Sequence, residues 1–282
     1  MGKVLTSKEI SMIQKLIEDR FGIFLEEEKT YLLDNKLSKI LSKSSLGSFE
    51  ELYTQICHRN NPELIDDIID AITVNETFWF RDRTPWFIME EILLPTYIAE
   101  FREGKRDLVR IWSGACSYGQ EPYSIAMSID RYLKHHNIHE LNLSHFEILA
   151  TDISRTVLQR AKMGVYDNIS IQRGLDEANR LEYFKNDGKI WSINDKIRNA
   201  VRFEQINLIQ ESFPSKRFDI IFFRNVLIYF SDKQKKEMMC KIKDVLRPGG
   251  TLFIGSSELF EDHKPNFSMA QYKNGIYFRL EE

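Results

Sequence analysis

The sequence predicts an α/β fold in which a doubly wound, mostly parallel sheet follows an all-helical N-terminal domain. Residues 1–74 carry only the periodicity of amphipathic helices, whereas short apolar segments alternate with helical ones in the rest of the 282-residue chain. A chain of this length also suits one large domain and one small domain. We therefore expect two domains, residues 1–74 and 75–282.

The N-terminal domain is predicted to consist of helices alone. Three of them have a capping residue at the expected start, namely Thr6, Ser48 and Asn61, and Gly22 is the expected end of the first helix. Another helix is predicted over residues 29–42, where leucine and isoleucine recur at helical spacing. No strand pattern is found in this part of the sequence.

Short apolar segments in the second domain predict the strands of the sheet. Helices are predicted to begin between them, near Glu121, Ser154 and Ser231. This strand–helix alternation is typical of a mostly parallel sheet that is covered by helices on both faces. The five main strands are expected at residues 109–112, 146–150, 201–206, 219–223 and 251–255.

Two further β segments complete the predicted architecture. Residues 275–280 follow the last parallel strand closely, which is compatible with an antiparallel final strand. Alternating residues in the segment 187–194, which contains Gly188, predict a small antiparallel β excursion before the third main strand. We expect this excursion to form a small β subdomain over residues 187–203.

An open α/β sheet binds its ligand at the carboxyl ends of its strands. The first predicted strand is followed by a loop of small residues, 113–122, whose two glycines allow a ligand close to the backbone. The second ends at Asp152, a carboxylate suited to a ribose diol. The third is followed by Asn207 and Leu208, which suit the edge and the face of an adenine. The fourth leads into residues 224–230, where a reacting methyl group would be presented.

The glycine pattern argues against two familiar kinds of nucleotide site. The loop 113–122 lacks the G-x-G-x-x-G arrangement of dinucleotide sites, and neither Gly114 nor Gly119 is followed by the lysine of a Walker loop. Both observations favour a cofactor without a pyrophosphate, and adenosine joined to an amino acid fits better. A nicotinamide-dependent oxidoreductase is disfavoured for the same reason.

Four segments, taken in order, resemble motifs of the CheR family of chemotaxis receptor glutamate O-methyltransferases. They are NETFWFRD at residues 75–82, IWSGACSYGQEPYS at 111–124, ATDI at 150–153 and FFRNVLIYF at 222–230. The resemblance covers nearly the whole chain, with the helical N-terminal region included. It implies a class I methyltransferase-like fold, S-adenosylmethionine as the cofactor, S-adenosylhomocysteine as the product, and no metal.

The resemblance also implies roles for individual residues. Glu121 would hold the methionine ammonium group and Asp152 the ribose, while Asn207 and Leu208 would flank the adenine. Relatives often have Ala and Glu where this chain has Gly114 and Gln120, and neither departure removes a needed charge. The other cofactor-binding residues that the family implies are Asn75, Thr77, Arg81, Arg224 and Asn225.

The implied reaction needs no general base from the protein. The glutamate carboxylate of the acceptor, with an ordinary pKa of about 4.3, is already ionised at neutral pH. The main task of the enzyme is then to align the attacking oxygen with the methyl group and its sulfur. We assign Arg81 and Tyr229 as the catalytic residues that orient the incoming carboxylate.

The implied partner is the cytoplasmic helical domain of a chemotaxis receptor. Lys36, Lys39 and Lys43 fall on one face of the second predicted helix, and in this family the N-terminal helices face the acidic methylation helices of the receptor. Relatives that dock on a receptor's C-terminal pentapeptide use a longer, glycine-bearing loop than residues 187–194. We therefore predict docking that is independent of the pentapeptide.

Composition limits the classes of function. A formal net charge of −3 argues against a nucleic-acid partner, because phosphate binding needs a basic surface. The longest apolar run, residues 220–230, is interrupted by Arg224 and Asn225, so we expect no direct membrane insertion and a cytoplasmic protein. A non-catalytic receptor-binding adaptor and a methyltransferase that acts on a small molecule are the alternative functions.

Overall fold

The computed structural model describes residues 6–24, 30–44, 46, 48–59, 61–258 and 266–281. As the sequence predicts, the described residues of the first 72 positions form helices and no strand. The predicted second helix begins at position 29, which lies outside the described residues. The helices are α1 Ser7–Phe21, α2 Thr30–Ser44, α3 Phe49–Thr54 with a π-helical turn Gln55–Arg59 after it, and α4 Pro62–Ile72.

The predicted capping residues do begin the helices. The hydroxyl of Thr6 accepts a hydrogen bond of 3.3 Å from the backbone N–H three residues later, and Ser48 and Asn61 cap α3 and α4 in the same way. Helix α1 ends at Gly22, whose left-handed φ of +74° strains any other residue. A β-carbon at this position would lie 2.6 Å from Phe230 of the sheet domain, so the two parts of the chain touch here.

The second part of the chain alternates strands with helices, and none of the described helices is long and apolar enough to cross a membrane. It begins with α5 Arg83–Ile88, a π-helical turn Met89–Leu93 and α6 Leu94–Arg102. The later helices are α7 Gln120–His135, α8 Arg155–Met163, α9 Asn168–Gln172, α10 Glu177–Tyr183, α11 Asp195–Arg198 and α12 Asp232–Val245. The strands are β1 Val109–Gly114, β2 Phe146–Asp152, β3 Val165–Asp167, β4 Phe184–Asn186, β5 Ile190–Ile193, β6 Val201–Gln205, β7 Phe218–Phe223, β8 Leu246–Ile254, β9 Phe267–Tyr272 and β10 Gly275–Leu280.

Seven strands form one sheet in the order β6-β2-β1-β7-β8-β10-β9. The first five in this order run parallel, while β10 is antiparallel to β8 and β9 is antiparallel to β10. The mostly parallel sheet predicted from the sequence is therefore confirmed, and its final strand is antiparallel. Strand β9 is an unpredicted addition, because its sequence FSMAQY has too little apolar alternation to stand out.

The predicted small antiparallel sheet is present, but its limits differ from the prediction. Its strand order is β3-β5-β4, so the predicted β subdomain 187–203 contains only one of its three strands. Residues Val201–Gln205 form the predicted third main strand, which pairs in parallel with β2, so the predicted end of the subdomain at residue 203 reaches too far. Strands β3 and β4 are three residues long, which is too short to show the alternation that identifies a strand in a sequence.

Apolar side chains form two clusters against the main sheet and a third inside the helical region. The central strands β1 and β7 are buried along almost their whole length, and Trp112 and Phe222 are fully buried. The third cluster unites helices α1 to α4 through side chains such as Ile17 and Ile68, with Ile153 of the sheet domain packed against it. The helical region therefore has a core of its own beside the carboxyl edge of the sheet.

Candidate active site

A cleft opens at the carboxyl ends of β1, β2 and β7, where the strand order reverses between β1 and β7. Its volume is about 230 Å³. The loops after these strands line it from the sheet domain, residues 73–78 line it where the two domains join, and Phe21 and Ile23 line it from the helical region. The cleft brings together nine residues that the sequence analysis selected: Asn75, Thr77, Arg81, Glu121, Asp152, Leu208, Arg224, Asn225 and Tyr229.

A buried ion pair joins the ends of β1 and β7. The carboxylate of Glu121, in the first turn of α7, accepts hydrogen bonds of 2.8 Å from the Ser113 hydroxyl and from Nη1 of Arg224. Nη2 of Arg224 donates to the Asp82 carboxylate at 2.7 Å and to the Arg81 carbonyl at 2.9 Å. Because only 1% of the Arg224 side chain is exposed, its charge depends on these partners for stability in the interior.

Asp152, at the end of β2, is held by the main chain rather than by a cation. Its Oδ2 accepts from the N–H of Ser117 at 2.8 Å, and its Oδ1 accepts from the N–H of Ser154 at 3.0 Å. Burial raises the pKa of this carboxyl above its ordinary range, although the same two hydrogen bonds oppose the shift. Since a carboxylate has about four acceptor sites, Asp152 can still receive hydrogen bonds from a ligand.

The backbone around the cleft adopts left-handed conformations that are uncommon for residues other than glycine. The φ angle is +56° at Ala115, +50° at Ser117 and +58° at Asn225, which all line the cleft. It is +47° at Phe80 and +55° at Asp82, which flank the predicted catalytic arginine. Each such conformation costs on the order of 1–3 kcal/mol and persists only where the surrounding structure enforces it. Their concentration here is typical of a functional site.

The two predicted catalytic residues both line the cleft. The Arg81 guanidinium lies 5.4 Å from the centroid of the Phe78 ring, and its Nη1 donates a long hydrogen bond of 3.5 Å to the carbonyl of Glu76. Tyr229 is half-buried, and burial raises the pKa of its hydroxyl, although the positive charge of Arg81 opposes the shift. At neutral pH the site therefore offers a protonated hydroxyl and a lightly engaged guanidinium.

Asn207 is the one residue of the predicted cofactor set that does not line the cleft. Its Nδ2 donates to the carbonyl of Arg20 at 2.8 Å, and its Oδ1 accepts from the N–H of Ile209 at 3.0 Å. The amide therefore fastens the end of α1 to the loop after β6. Its neighbour Leu208 does line the cleft. Position after a strand does not reveal whether a side chain turns to the cleft or to the neighbouring domain, so the sequence points to both residues alike.

The three predicted substrate-binding lysines lie together in a surface groove between α2 and α4. Lys39 and Lys43 are exposed and Lys36 is partly buried. The ammonium group of Lys43 is paired with the Asp67 carboxylate of α4 at 2.7 Å. Because Thr73 lines both this groove and the cleft, the groove leads towards the cleft.

Three residues that hold the site together are missing from the residues selected by sequence. Ser113 and Ser117 belong to the small-residue loop, where nothing in the pattern distinguishes a hydrogen-bonding serine from a small filler. Glu258 follows β8, is buried, and accepts from the N–H of Asn225 at 2.8 Å and from that of Ile228 at 3.2 Å. Reading the end of the fifth predicted strand, in the same way as the first four, would have found Glu258.

Comparison with known proteins agrees with the four motifs. Residues 8–73 match the family model described as CheR methyltransferase, all-alpha domain, and residues 75–276 match CheR methyltransferase, SAM binding domain. A chemotaxis protein methyltransferase of Pseudomonas putida is 37% identical over 96% of this chain and 97% of its own length. One of Vibrio parahaemolyticus is 36% identical over 98% of both chains. One of Borreliella burgdorferi is 34% identical over 92% of this chain and 91% of its own. The chain belongs to the CheR family of S-adenosylmethionine-dependent methyltransferases.

Proposed function

We propose that this protein transfers the methyl group of S-adenosylmethionine to glutamate side chains of chemotaxis receptors and thereby tunes sensory adaptation. One observation carries the proposal: the buried carboxylate of Asp152, at the end of β2, and the partly buried carboxylate of Glu121, in the first turn of the helix after β1, share one cleft with Arg81 and Tyr229. The first pair suits the cofactor and the second pair suits an acceptor carboxylate. Family membership supports the reaction class.

The charge of the cleft suits this cofactor. The side chains with a formal charge that line it are three carboxylates, of Glu76, Glu121 and Asp152, and two guanidinium groups, of Arg81 and Arg224. Their formal balance is one negative charge. S-adenosylmethionine carries a sulfonium, an ammonium and a carboxylate group, which leave one positive charge, so the cleft and the cofactor are complementary.

The donors and acceptors also match the parts of the cofactor. Asp152 would accept from the ribose hydroxyls with its unused lone pairs, and Glu121 would accept from the ammonium group beside its bonds to Ser113 and Arg224. Leu208 would cover the adenine face. We assign the same cofactor to the polar groups of Asn75, Thr77, Arg81, Arg224 and Asn225, which share the cleft, and keep Asn207 as a candidate for the adenine edge.

The bound cofactor supplies an electrophilic methyl group on a positively charged sulfur. The protein has to orient the acceptor carboxylate, which is ionised already and needs no base. Tyr229 can donate a hydrogen bond to it because a tyrosine hydroxyl, with an ordinary pKa of about 10, is protonated at neutral pH, and burial raises the pKa of Tyr229 further. Arg81 suits the second contact better than Arg224, since the Arg224 guanidinium is already bound to Glu121 and Asp82.

The receptor would approach from the helical region. Lys36, Lys39 and Lys43 line a groove that adjoins the cleft, and a row of ammonium groups suits an acidic receptor helix. The hairpin between β4 and β5 turns over residues 187–189 alone, which supports docking that does not depend on a C-terminal pentapeptide. An acceptor on the cytoplasmic domain of a receptor also makes the cytoplasm the site of action.

The deciding experiment is methyl transfer from radiolabelled S-adenosylmethionine to membranes that carry chemotaxis receptors. We expect counts on the receptor that alkali releases as methanol, because carboxyl methyl esters are base-labile. A receptor with alanine in place of its methylatable glutamates is the matched control and should carry no label. Tight cofactor binding with no transfer to any receptor would refute the proposal and favour the non-catalytic adaptor.

A further inference from the structure

Glu258 is a buried acidic residue that lies outside the cleft lining and directly beneath one of its loops. It is 6% exposed, and its carboxylate accepts three backbone hydrogen bonds. Oε2 accepts from the N–H of Asn225 at 2.8 Å and from that of Gly255 at 2.6 Å, and Oε1 accepts from the N–H of Ile228 at 3.2 Å. Within the described part of the chain, no lysine, arginine or histidine nitrogen pairs with this carboxylate. Among the described residues, main-chain N–H groups are the donors that offset its buried charge.

The segment around Glu258 is shaped for this contact. The N–H of Glu258 donates to the carbonyl of Gly255 at 2.9 Å, which closes a turn at the end of β8. A β-carbon on Gly255 would lie 2.7 Å from Oε2 of Glu258 and 2.8 Å from Nδ2 of Asn225. Only glycine leaves room for the carboxylate and the Asn225 loop to meet here.

The loop that Glu258 holds is the one that carries the acceptor side of the site. It runs from β7 to α12 over residues 224–231, and six of its residues line the cleft: Arg224, Asn225, Val226, Ile228, Tyr229 and Phe230. Asn225 has a left-handed φ of +58°. A second anchor comes from the helical region, where the N–H of Phe24 donates to the carbonyl of Tyr229 at 2.7 Å.

We propose that Glu258 is a positioning residue of the methyl-transfer site, which acts through the backbone of Asn225 and Ile228 to fix the place of the Tyr229 hydroxyl. Its carboxylate bonds at both ends of one turn of the loop, so it sets the distance between the cofactor side and the acceptor side of the cleft. For the role of the loop residues, this inference rests on the function proposed above.

Two substitutions distinguish the hydrogen bonds of Oε1 from those of Oε2 of Glu258. In Glu258→Gln the amide oxygen can still accept from Asn225 and Gly255, whereas the amide NH2 then faces the N–H of Ile228. In Glu258→Ala all three bonds are lost. We expect hydrogen exchange at Ile228, measured by NMR, to accelerate on the order of 10- to 100-fold in both variants, since a bond to a charged acceptor is lost. Exchange at Asn225 should accelerate in Glu258→Ala alone.

The two variants should also differ in their effects on turnover and on product binding. Glu258→Gln should lower kcat about tenfold at saturating cofactor while the Kd for S-adenosylhomocysteine changes less than about twofold, because Asn225 stays anchored. Glu258→Ala should weaken product binding about tenfold as well. The matched control is Asp176→Asn, which also turns a carboxylate that accepts from a backbone N–H into an amide, at the start of α10, and which should leave every one of these values unchanged.

Two results would overturn the inference. Unchanged exchange at Ile228 in both variants would mean that Glu258 does not hold the loop, and normal kcat with faster exchange would mean that the held loop does not matter for transfer. If wild-type enzyme labels no receptor, the proposed function fails. The exchange and product-binding measurements still decide the role of Glu258 in that case, because they need no acceptor.

Discussion

The helical region contributes apolar side chains to the cleft, Phe21 and Ile23, whereas the sheet region contributes the charged groups, Glu121, Asp152 and Arg224 among them. The two regions also differ in the interactions that keep their cleft-lining side chains in place. Helices α1 to α4 rest on end caps and a small apolar core. The sheet region holds its charges with buried hydrogen bonds and with strained backbone after its strands.

The junction between the regions relies on hydrogen bonds to main-chain carbonyls near the end of α1. Asn207 and Gln234 of the sheet region donate to the carbonyls of Arg20 and Glu18 at 2.8 Å and 3.2 Å. The difference suggests a division of work that the predictions below test: the sheet region carries the SAM-binding domain, and the helical region, which lines one side of the cleft, is proposed to meet the acceptor. Changes in the two regions should therefore affect different measured quantities.

The largest effect should follow from Arg224→Met in the sheet region. The substitution leaves the partly buried Glu121 carboxylate with the Ser113 hydroxyl as its one side-chain donor among the described residues. Breaking a buried ion pair by removing one partner typically costs about 3–5 kcal/mol. We expect a loss of that size in the free energy of unfolding, measured by urea denaturation, together with loss of cofactor binding.

Arg102→Met is the matched control for this substitution. Arg102 pairs with Glu140 at 2.8 Å, but 57% of its side chain is exposed, and exposed pairs contribute only about 0–1 kcal/mol. If Arg224→Met lowers the free energy of unfolding no more than Arg102→Met does, the Arg224 ion pair stabilises the sheet region no more than an exposed ion pair would.

The next largest effect should come from Asp152→Asn, and it should fall on the cofactor rather than on the fold. An amide accepts fewer hydrogen bonds than a carboxylate, so affinity for S-adenosylhomocysteine should drop on the order of 10- to 100-fold. Folding stability at neutral pH should change little. Burial raises the pKa of Asp152, which means that its negative charge destabilises the folded state. Removing that charge therefore offsets the loss of stability from the weakened hydrogen bonds.

The raised pKa of Asp152 also fixes the direction of two pH effects. Because the folded-state pKa lies above the unfolded one, ionisation of this group destabilises the fold as pH rises through the folded value, and acid relieves that cost. Ligand binding should behave oppositely, since in the proposed site the ionised form of Asp152 accepts the ribose hydroxyls. Product affinity should therefore fall on acidification at a pH above that of an ordinary aspartate, about 3.9. Calorimetry with Asp152→Asn should show a flat profile, and an equally steep one would assign the pH dependence to another group.

The sequence predicts the two regions unequally, for physical reasons. In the helical region, caps such as Thr6 and Asn61 are local signals, and the structure confirms them. In the sheet region, strands β1, β2 and β7 are buried on both faces and read as apolar runs, whereas three-residue strands such as β3 leave no pattern.

Site residues divide along the same line. Asp152 and Glu121 follow strands that the sequence predicts, so their place at the carboxyl edge could be predicted from local sequence. The partners of Arg224 at Asp82 and Glu121 lie 142 and 103 residues away in the chain, and no local pattern encodes such a contact. The same holds for Asn207, whose amide turns to Arg20 across 187 residues.

Asn207→Ala tests the hydrogen bonds that join the loop after β6 to the end of α1. The substitution removes bonds to the carbonyl of Arg20 and to the N–H groups of Ile209 and Gln210. We expect the free energy of unfolding to fall by about 1.5 kcal/mol, with the Kd for S-adenosylhomocysteine changed less than about twofold. Gln205→Ala, which removes a bond to the Ile153 carbonyl within the sheet region, is the matched control. A tenfold weaker Kd in Asn207→Ala would instead give Asn207 the adenine role that the sequence predicts.

The smallest effect should come from the groove lysines of the helical region. Lys36 and Lys39 have no ion-pair partner among the described side chains, whereas Lys43 is paired with Asp67. Reversing both charges in Lys36→Glu/Lys39→Glu should raise the KM for receptor about fivefold, since exposed charges contribute at most about 1 kcal/mol each. The Kd for the cofactor should not change. Added salt should shrink the difference from wild type, because these groups face water.

Lys43→Glu is the control that the structure offers for this test. It reverses one charge on the same helix, but Asp67 already neutralises that charge. The KM for receptor should therefore rise less than twofold. An equal rise in Lys43→Glu would mean that the receptor senses the net charge of the whole helical region rather than this groove. An unchanged KM in the double variant would mean that the receptor does not bind at these lysines of the helical region. Substrate selection would then have to come from the cleft.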